Sequence, residues 1–231
     1  RGGHGSQCAT EWRLTNPYRA PWKFIPYSGT VGRNRGTSVA ICFNDNQSHL
    51  LKPDFVERNI IKHFYPLLSP KFYERVLRYF YKTPVSFLIN GKRVVLPESG
   101  REELQRWFNI YLGKSRQPAG VGFLAKTEME KNWLSKLFGH SEILIPLSAG
   151  LYISTFGKVI KGGWEWLGIL PKNPAGLAGV VEIPALAEIL TTNKSDFLSD
   201  ANSLKKYYKI RKAIQEAVLP VLDEMGEDQG T

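Results

Sequence analysis

From about residue 70 onward the chain alternates short β-type runs with helical patterns, and that alternation confines it to an α/β (α+β) fold. The clearest run is "PVSFLINGKRVVL", two β-type stretches joined by Asn90-Gly91, a dipeptide that accepts the positive φ angles of a tight hairpin turn. "AGVGFLAK", "SEILIPL", "GLYISTFGKVI" and "AGVVEI" read as further strands, with a turn expected at Gly157-Lys158. Helical patterns separate them. "SGREELQRWFNIYLG" opens with Ser99 and Glu102 in capping-box spacing and closes on Gly113, so a helix is expected there. "TEMEKNWLSKLFG" repeats that grammar with Thr127, Glu130 and Gly139. In the last segment, "SDANSLKKYYKIRKAIQEAVLPVLDEM", Leu204, Tyr208, Ile214, Val218 and Leu222 lie near one helical stripe, and Pro220 is expected to kink or end the helix.

Ahead of this region the signals differ. "LTNPYRAPWKFIPYSGTVGRNRG" is rich in Pro, Gly and aromatics, like a loop folded back on a sheet edge, and runs into the strand candidate "TSVAICF" at 37–43. "KPDFVERNIIKHFYPLL" is helical, with Pro53 suited to the first turn. "SPKFYERVLRYFYK" has Ser69 as its N-cap, and Phe72, Val76, Leu77 and Phe80 share one face. The boundary between two regions is placed within "PLLSP", giving 1–68 and 69–231.

The 231 residues are 42% hydrophobic and 12% aromatic, which supplies a core and excludes general disorder. Lys and Arg outnumber Asp and Glu by 31 to 21, a formal charge of +10. Such a balance suits a polyanionic partner, although it equally serves solubility. Cys8 and Cys42 have no paired spacing and read as isolated thiols of a reducing compartment. No run approaches the roughly 18 apolar residues of a membrane span, so an intracellular, soluble protein with no membrane partner is expected. His4, His49, His63 and His140 are scattered, and no GxSxG, HExxH or GxxxxGK[ST] pattern occurs, so neither metal ligation nor a hydrolytic triad is indicated.

Three places can carry function. "RGGHGS" offers Gly2, Gly3, Gly5 and Ser6, whose N–H groups can wrap an anion, or it is a flexible glycine-rich end. In "TTNKSDF", Lys194 sits in a polar turn between a buried apolar run and a long charged helix. It is either a solvated turn lysine or an ammonium aimed at a phosphate, with Asp196 and Phe197 pinning the turn. Lys205, Lys206, Lys209, Arg211 and Lys212 on the last helix form either a nucleic-acid-facing cluster or a solvated face with i,i+4 pairs. Trp164 and Trp166 in "GGWEWLG" read as core or hairpin-packing residues in preference to stacking ones.

Taken in order, "INGKRV", "AGLYISTFGKVIKGGWEWLGI", "AGVVEIPALAEILTTNKSDF" and the terminal helix resemble the transducer region of the GHKL ATPases, the family of gyrase B, the heat-shock chaperone, the histidine kinases and the mismatch-repair ATPases. "RGGHGSQCATEW" resembles the family's last phosphate-wrapping glycine box, and "RGTSVAICF" the strand that closes its ATP-binding domain. The resemblance implies a ribosomal-protein-like β-α-β transducer over 69–231, preceded by the C-terminal part of a Bergerat-type ATP-binding sandwich over 1–68. It implies ATP and Mg as cofactors, Lys194 as the lysine that reaches the γ-phosphate, and Gly2, Gly3, Gly5 and Ser6 as nucleotide-binding residues. It also implies an ATP-dependent homodimer and a DNA or protein client. The family's helix with a Glu and a Mg-binding Asn, and its D-x-G-x-G box, do not occur in these 231 residues. ATP hydrolysis is therefore expected only together with the missing ATP-binding segment or subunit. The alternatives are a non-enzymatic basic nucleic-acid-binding α/β module and an interaction protein whose basic face docks on a partner chain.

Overall fold

The computed structural model describes residues 9–12, 22–25, 39, 41, 43, 46–96, 105–126, 149–192 and 194–227, with backbone alone at 9–12 and 22–25. Two compact units divide at Ser48/His49. In the first, β1 (Ala9–Trp12) and β2 (Trp22–Ile25) pair antiparallel. Val39, Ile41 and Phe43, the described residues of the strand expected at 37–43, are in no strand and are exposed. Cys8 and Cys42 lie outside the described residues.

The second unit starts at His49, ahead of the boundary expected at 68/69, because the first long helix packs with the sheet. That helix, α1 (Pro53–Leu68), has proline in its first turn and kinks at Phe64 (φ −129°), just ahead of Pro66, which cannot donate to the preceding turn. Ser69 then caps α2 (Pro70–Arg75), its hydroxyl accepting the Phe72 N–H at 3.3 Å. This helix is shorter than its pattern, passing into a 3-10 turn at Leu77–Tyr79 and leaving Phe80 exposed. The expected hairpin forms from β3 (Leu88–Ile89) and β4 (Lys92–Arg93), with φ of 49° at Asn90 and 80° at Gly91.

A mixed five-stranded sheet organises the rest, in the order β5-β6-β9-β7-β8. Its strands are β5 (Gln105–Ile110), β6 (Gly120–Lys126), β7 (Gly150–Thr155), β8 (Lys158–Lys161) and β9 (Leu177–Glu182). Only β7 and β9 run parallel. Every residue of both is buried, which is why each reads as a continuous apolar run without alternation. Alternate residues supply two cores. Leu151, Ile153, Leu177 and Val181 face the terminal helix α3 (Ala201–Glu224) through Ile210, Ile214, Val218 and Leu222. Tyr152, Ala178 and Val180 face Phe72, Val76 and Leu77, with Tyr65 and Leu67 of α1 packed against them. Fully burying side chains of this size contributes roughly 1.5–3 kcal/mol each. At Gly179, between β6 and β7, a methyl group would stand 2.3 Å from the Phe123 carbonyl oxygen, so only glycine lets the strands meet.

Several expectations are corrected. Gln105–Ile110 is the edge strand β5, where a helix was expected over 99–113. It pairs with β6, placing Trp107 on Phe72 and Phe123 while Ile110 enters the other core. Tertiary pairing of an aromatic-rich stretch overrides the local capping cues. The β7–β8 turn is Phe156-Gly157 and not Gly157-Lys158, with φ of 50° and 77°. α3 runs past Pro220 to Glu224, and Tyr208 is exposed instead of lying on the apolar stripe. The patterns at 127–139 and 141–147 lie outside the described residues. Trp164 and Trp166 are core, their indole N–H groups donating to the Pro174 and Leu151 carbonyls at 3.2 and 2.8 Å. Among the described residues no helix is long and apolar enough to cross a membrane.

Candidate functional site

β9 leads through a 3-10 stretch (Pro184–Ile189) into the loop that carries Lys194, and this loop ends at the N-cap of α3. It is closed at its base. Leu190 and Phe197 form an antiparallel bridge, and the Leu198 N–H donates to the Ile189 carbonyl at 2.8 Å. Inside, the Thr191 N–H and hydroxyl donate to the Asp196 carbonyl at 2.9 and 3.0 Å. The Lys194 N–H donates back to the Thr191 carbonyl at 2.8 Å. Asp196 caps its own turn by accepting the Phe197 N–H, and it holds the Lys161 ammonium at 2.9 Å. Those two bonds, the lysine's first, keep its pKa below the ordinary carboxylate value. Asp200 accepts the Asn202 and Ser203 N–H groups and so fixes where α3 begins.

Lys194 itself has φ of 53°, a left-handed conformation uncommon outside glycine, and its side chain is exposed. Its carbonyl accepts the Lys158 ammonium at 2.9 Å. Lys158 also lies near His63 of α1, whose pKa is pulled down by partial burial and then by the charges of Lys62 and Lys158. Lys158, beside the carboxyl end of β7, and Lys161, opposite Ile153 of β7, thus brace the Lys194 loop and make this part of the sheet edge cationic.

Beneath this cationic end lies a buried acid. Glu182, the last residue of β9, is 1% exposed and meets no cation among the described residues; it accepts hydrogen bonds from the Ser154 hydroxyl at 2.6 Å, the Gly157 N–H at 3.1 Å and the Phe156 N–H. Burial pushes its pKa up, and these three donors pull it back without cancelling the rise.

Of the basic cluster expected on α3, the structure separates two kinds. The Lys206 ammonium pairs with Glu188 at 2.5 Å, and Arg211 Nε donates to the Leu167 carbonyl at 3.0 Å. Lys205, Lys209 and Lys212 are exposed at i, i+4 and i+7, one per turn, and Lys212 stands 3.9 Å from Glu216. Gly2, Gly3, Gly5 and Ser6 lie outside the described residues. Among the described residues no group of His, Cys, Asp and Glu is arranged to hold a metal ion. Lys158, Lys161 and Glu182 escape sequence reading. The lone acid inside "AGVVEI" was the available signal, since a charge in a doubly buried strand needs a reason.

No protein-family model matches the chain, and no curated protein matches it.

The raised pKa of Glu182 has a definite sign in stability. Folding disfavours its ionised form, so the penalty is absent below the ordinary value of 4.5 and grows as pH rises toward the folded value. Relative to Glu182→Gln, the natural chain is expected to lose stability as pH rises from about 4.5 toward neutrality, read from urea midpoints across that window. A difference between the two that stays constant with pH would contradict this.

Proposed function

We propose that the chain is the transducer part of a GHKL-type ATPase, in which Lys194 senses the terminal phosphate of ATP and passes its presence to α3. The reading draws on the resemblance of "AGLYISTFGKVI" and "TTNKSDF" to that family. The observation that carries it is the position of Lys194: an exposed lysine in a left-handed backbone, on a loop braced at both ends, with α3 rooted directly behind it. A solvated turn lysine needs none of this bracing.

The residues present fit the phosphate end of such a nucleotide. Lys194, Lys158 and Lys161 are cations at one end of the sheet, and Asp196 is the acid paired among them. Lys194 would bind the terminal phosphate by a charge-assisted hydrogen bond. The resemblance also implies Gly2, Gly3, Gly5 and Ser6 as nucleotide-binding residues. Bound Mg–ATP would supply a phosphoanhydride bond that water hydrolyses to ADP and inorganic phosphate. Lys194 would then lack its partner, and the loop with α3 would be free to reorient, a switch of the kind nucleotide-driven hinges use. Adenine and Mg would be held by the ATP-binding segment or subunit that completes the site, and ATP-dependent homodimerisation and a DNA or protein client belong to the same reading.

In the full-length protein, Lys194→Ala is expected to lower ATP turnover by about 10²-fold or more while leaving nucleotide affinity nearly unchanged, the pattern of a lost transition-state contact. Steady-state hydrolysis with equilibrium binding measures both, and unchanged turnover overturns the reading.

A second reading, a basic nucleic-acid-binding module, is favoured by one observation: Lys205, Lys209 and Lys212 are exposed along one face, at a rise of about 1.5 Å per residue, with Lys212 in a long 3.9 Å pair to Glu216. Replacing all three by Gln should reduce the slope of log K against log salt on duplex DNA by about 2.7, near 0.9 for each lost phosphate contact. An unaltered slope removes α3 from any such interface.

A further inference from the structure

Among the described residues three that are not glycine have positive φ: Asn90, Phe156 and Lys194. Asn90 needs no explanation, because asparagine tolerates a hairpin turn. Phe156 and Lys194 do, since neither side chain offsets the strain of a left-handed backbone. They belong to different loops, yet one lysine joins them.

Phe156 is exposed, yet its backbone and ring are both engaged. Its N–H donates to Glu182 Oε1, its carbonyl accepts the Tyr81 hydroxyl at 2.9 Å, and its ring meets Phe80 edge-on at 5.2 Å between centroids. The next residue, Gly157, donates its N–H to Glu182 Oε2 at 3.1 Å. The residue after that is Lys158, and its ammonium donates to the Lys194 carbonyl at 2.9 Å. Glu182 and Ser154 are register partners on the parallel pair β9 and β7, so the acid sits at a fixed place below the turn. Carboxylate, turn, Lys158 and Lys194 backbone thus form one continuous set of contacts. A buried glutamate that meets no cation among the described residues is costly to keep, and its three hydrogen bonds offset that cost only in part.

We propose that Glu182 is a positioning residue for Lys194: it locks the Phe156-Gly157 turn, and Lys158 carries that rigidity to the backbone of the lysine loop. The proposal deepens the phosphate-sensing reading and takes from it the purpose of the aiming. The coupling itself is a property of the chain without nucleotide. A glutamate that only stabilised the fold would influence the turn and the global stability but would have no selective effect on 191–198.

Amide hydrogen exchange of the chain, measured residue by residue without nucleotide, tests this. Lys158→Met should speed exchange at Thr191, Lys194 and Leu198 by about three- to tenfold, the scale of one lost hydrogen bond, and leave Gly157 unchanged. Glu182→Gln should speed exchange at Phe156 and Gly157 and at those three loop amides alike. In the double variant the loop should exchange no faster than in Lys158→Met alone, because both changes break the same connection. The slowest β9 amides report global unfolding and serve as the reference. Where Glu182→Gln does not fold, Tyr81→Phe removes the turn's carbonyl partner instead and carries the same expectation. The proposal is overturned if turn exchange rises without loop exchange, or if the effects of the two changes on the loop add. Those outcomes leave the effect of Lys194→Ala on ATP turnover untouched, whereas normal turnover in Lys194→Ala would overturn phosphate sensing and leave this coupling standing.

Discussion

The parallel pairing of β7 with β9 is the constraint on which the other features depend. Both strands are buried on both faces, so they cannot shift in register by one residue without exchanging the side chains of two cores. That register sets Ser154 beside Glu182, and both strands deliver their carboxyl ends to one place. One continues into the Phe156-Gly157 turn and the other into the lysine loop. Three glycines mark how closely the strands approach: besides Gly179, a methyl group at Gly122 or Gly120 would meet carbonyl oxygens of β9 at 2.9 and 2.6 Å.

The helices then give the two faces different tasks. α3 covers one face along most of its length, with Asp200 fixing its start and Glu227 fixing the chain just beyond its end. Glu227 accepts the Asn173 N–H at 2.9 Å and faces the Lys126 ammonium at 3.4 Å. The start of α3 is thus set by its own cap, and its end is tied to the segment before β9. The opposite face is closed by α2 and the end of α1, and Tyr81 from this side reaches the Phe156 carbonyl. The turn is therefore held by Glu182 from the sheet and by Phe80 and Tyr81 from the α2 side.

Much of this was legible in the residues, and the misses have physical causes. Asn90-Gly91, Pro53 and Ser69 act locally, so their hairpin, helix start and cap form as read. β6, β7 and β9 were visible as short apolar runs because complete burial removes alternation. β5 was mistaken for a helix because its strand character comes from β6 beside it, and an edge strand keeps helix-compatible polar residues such as Arg106 and Asn109 on its open positions. The Lys194 loop was recognisable as a polar turn between two rigid elements. Its bracing by Lys158 and Lys161 was not, since those contacts span about 35 residues of sequence. The five basic residues of α3 looked equivalent in one dimension, and only the fold binds Lys206 and Arg211 to other elements while leaving Lys205, Lys209 and Lys212 exposed.

Under the proposed phosphate-sensing role, the Lys194 ammonium of the complete protein would lie against the outermost phosphate of the nucleotide. An ATP derivative with a reactive acyl group on its terminal phosphate transfers that group to a lysine amine within reach, and peptide mass spectrometry of the full-length protein locates it. Acylation of Lys194, suppressed by excess ATP, is the expected result. Acylation confined to other lysines, or labelling of Lys194 that ATP does not suppress, would contradict it.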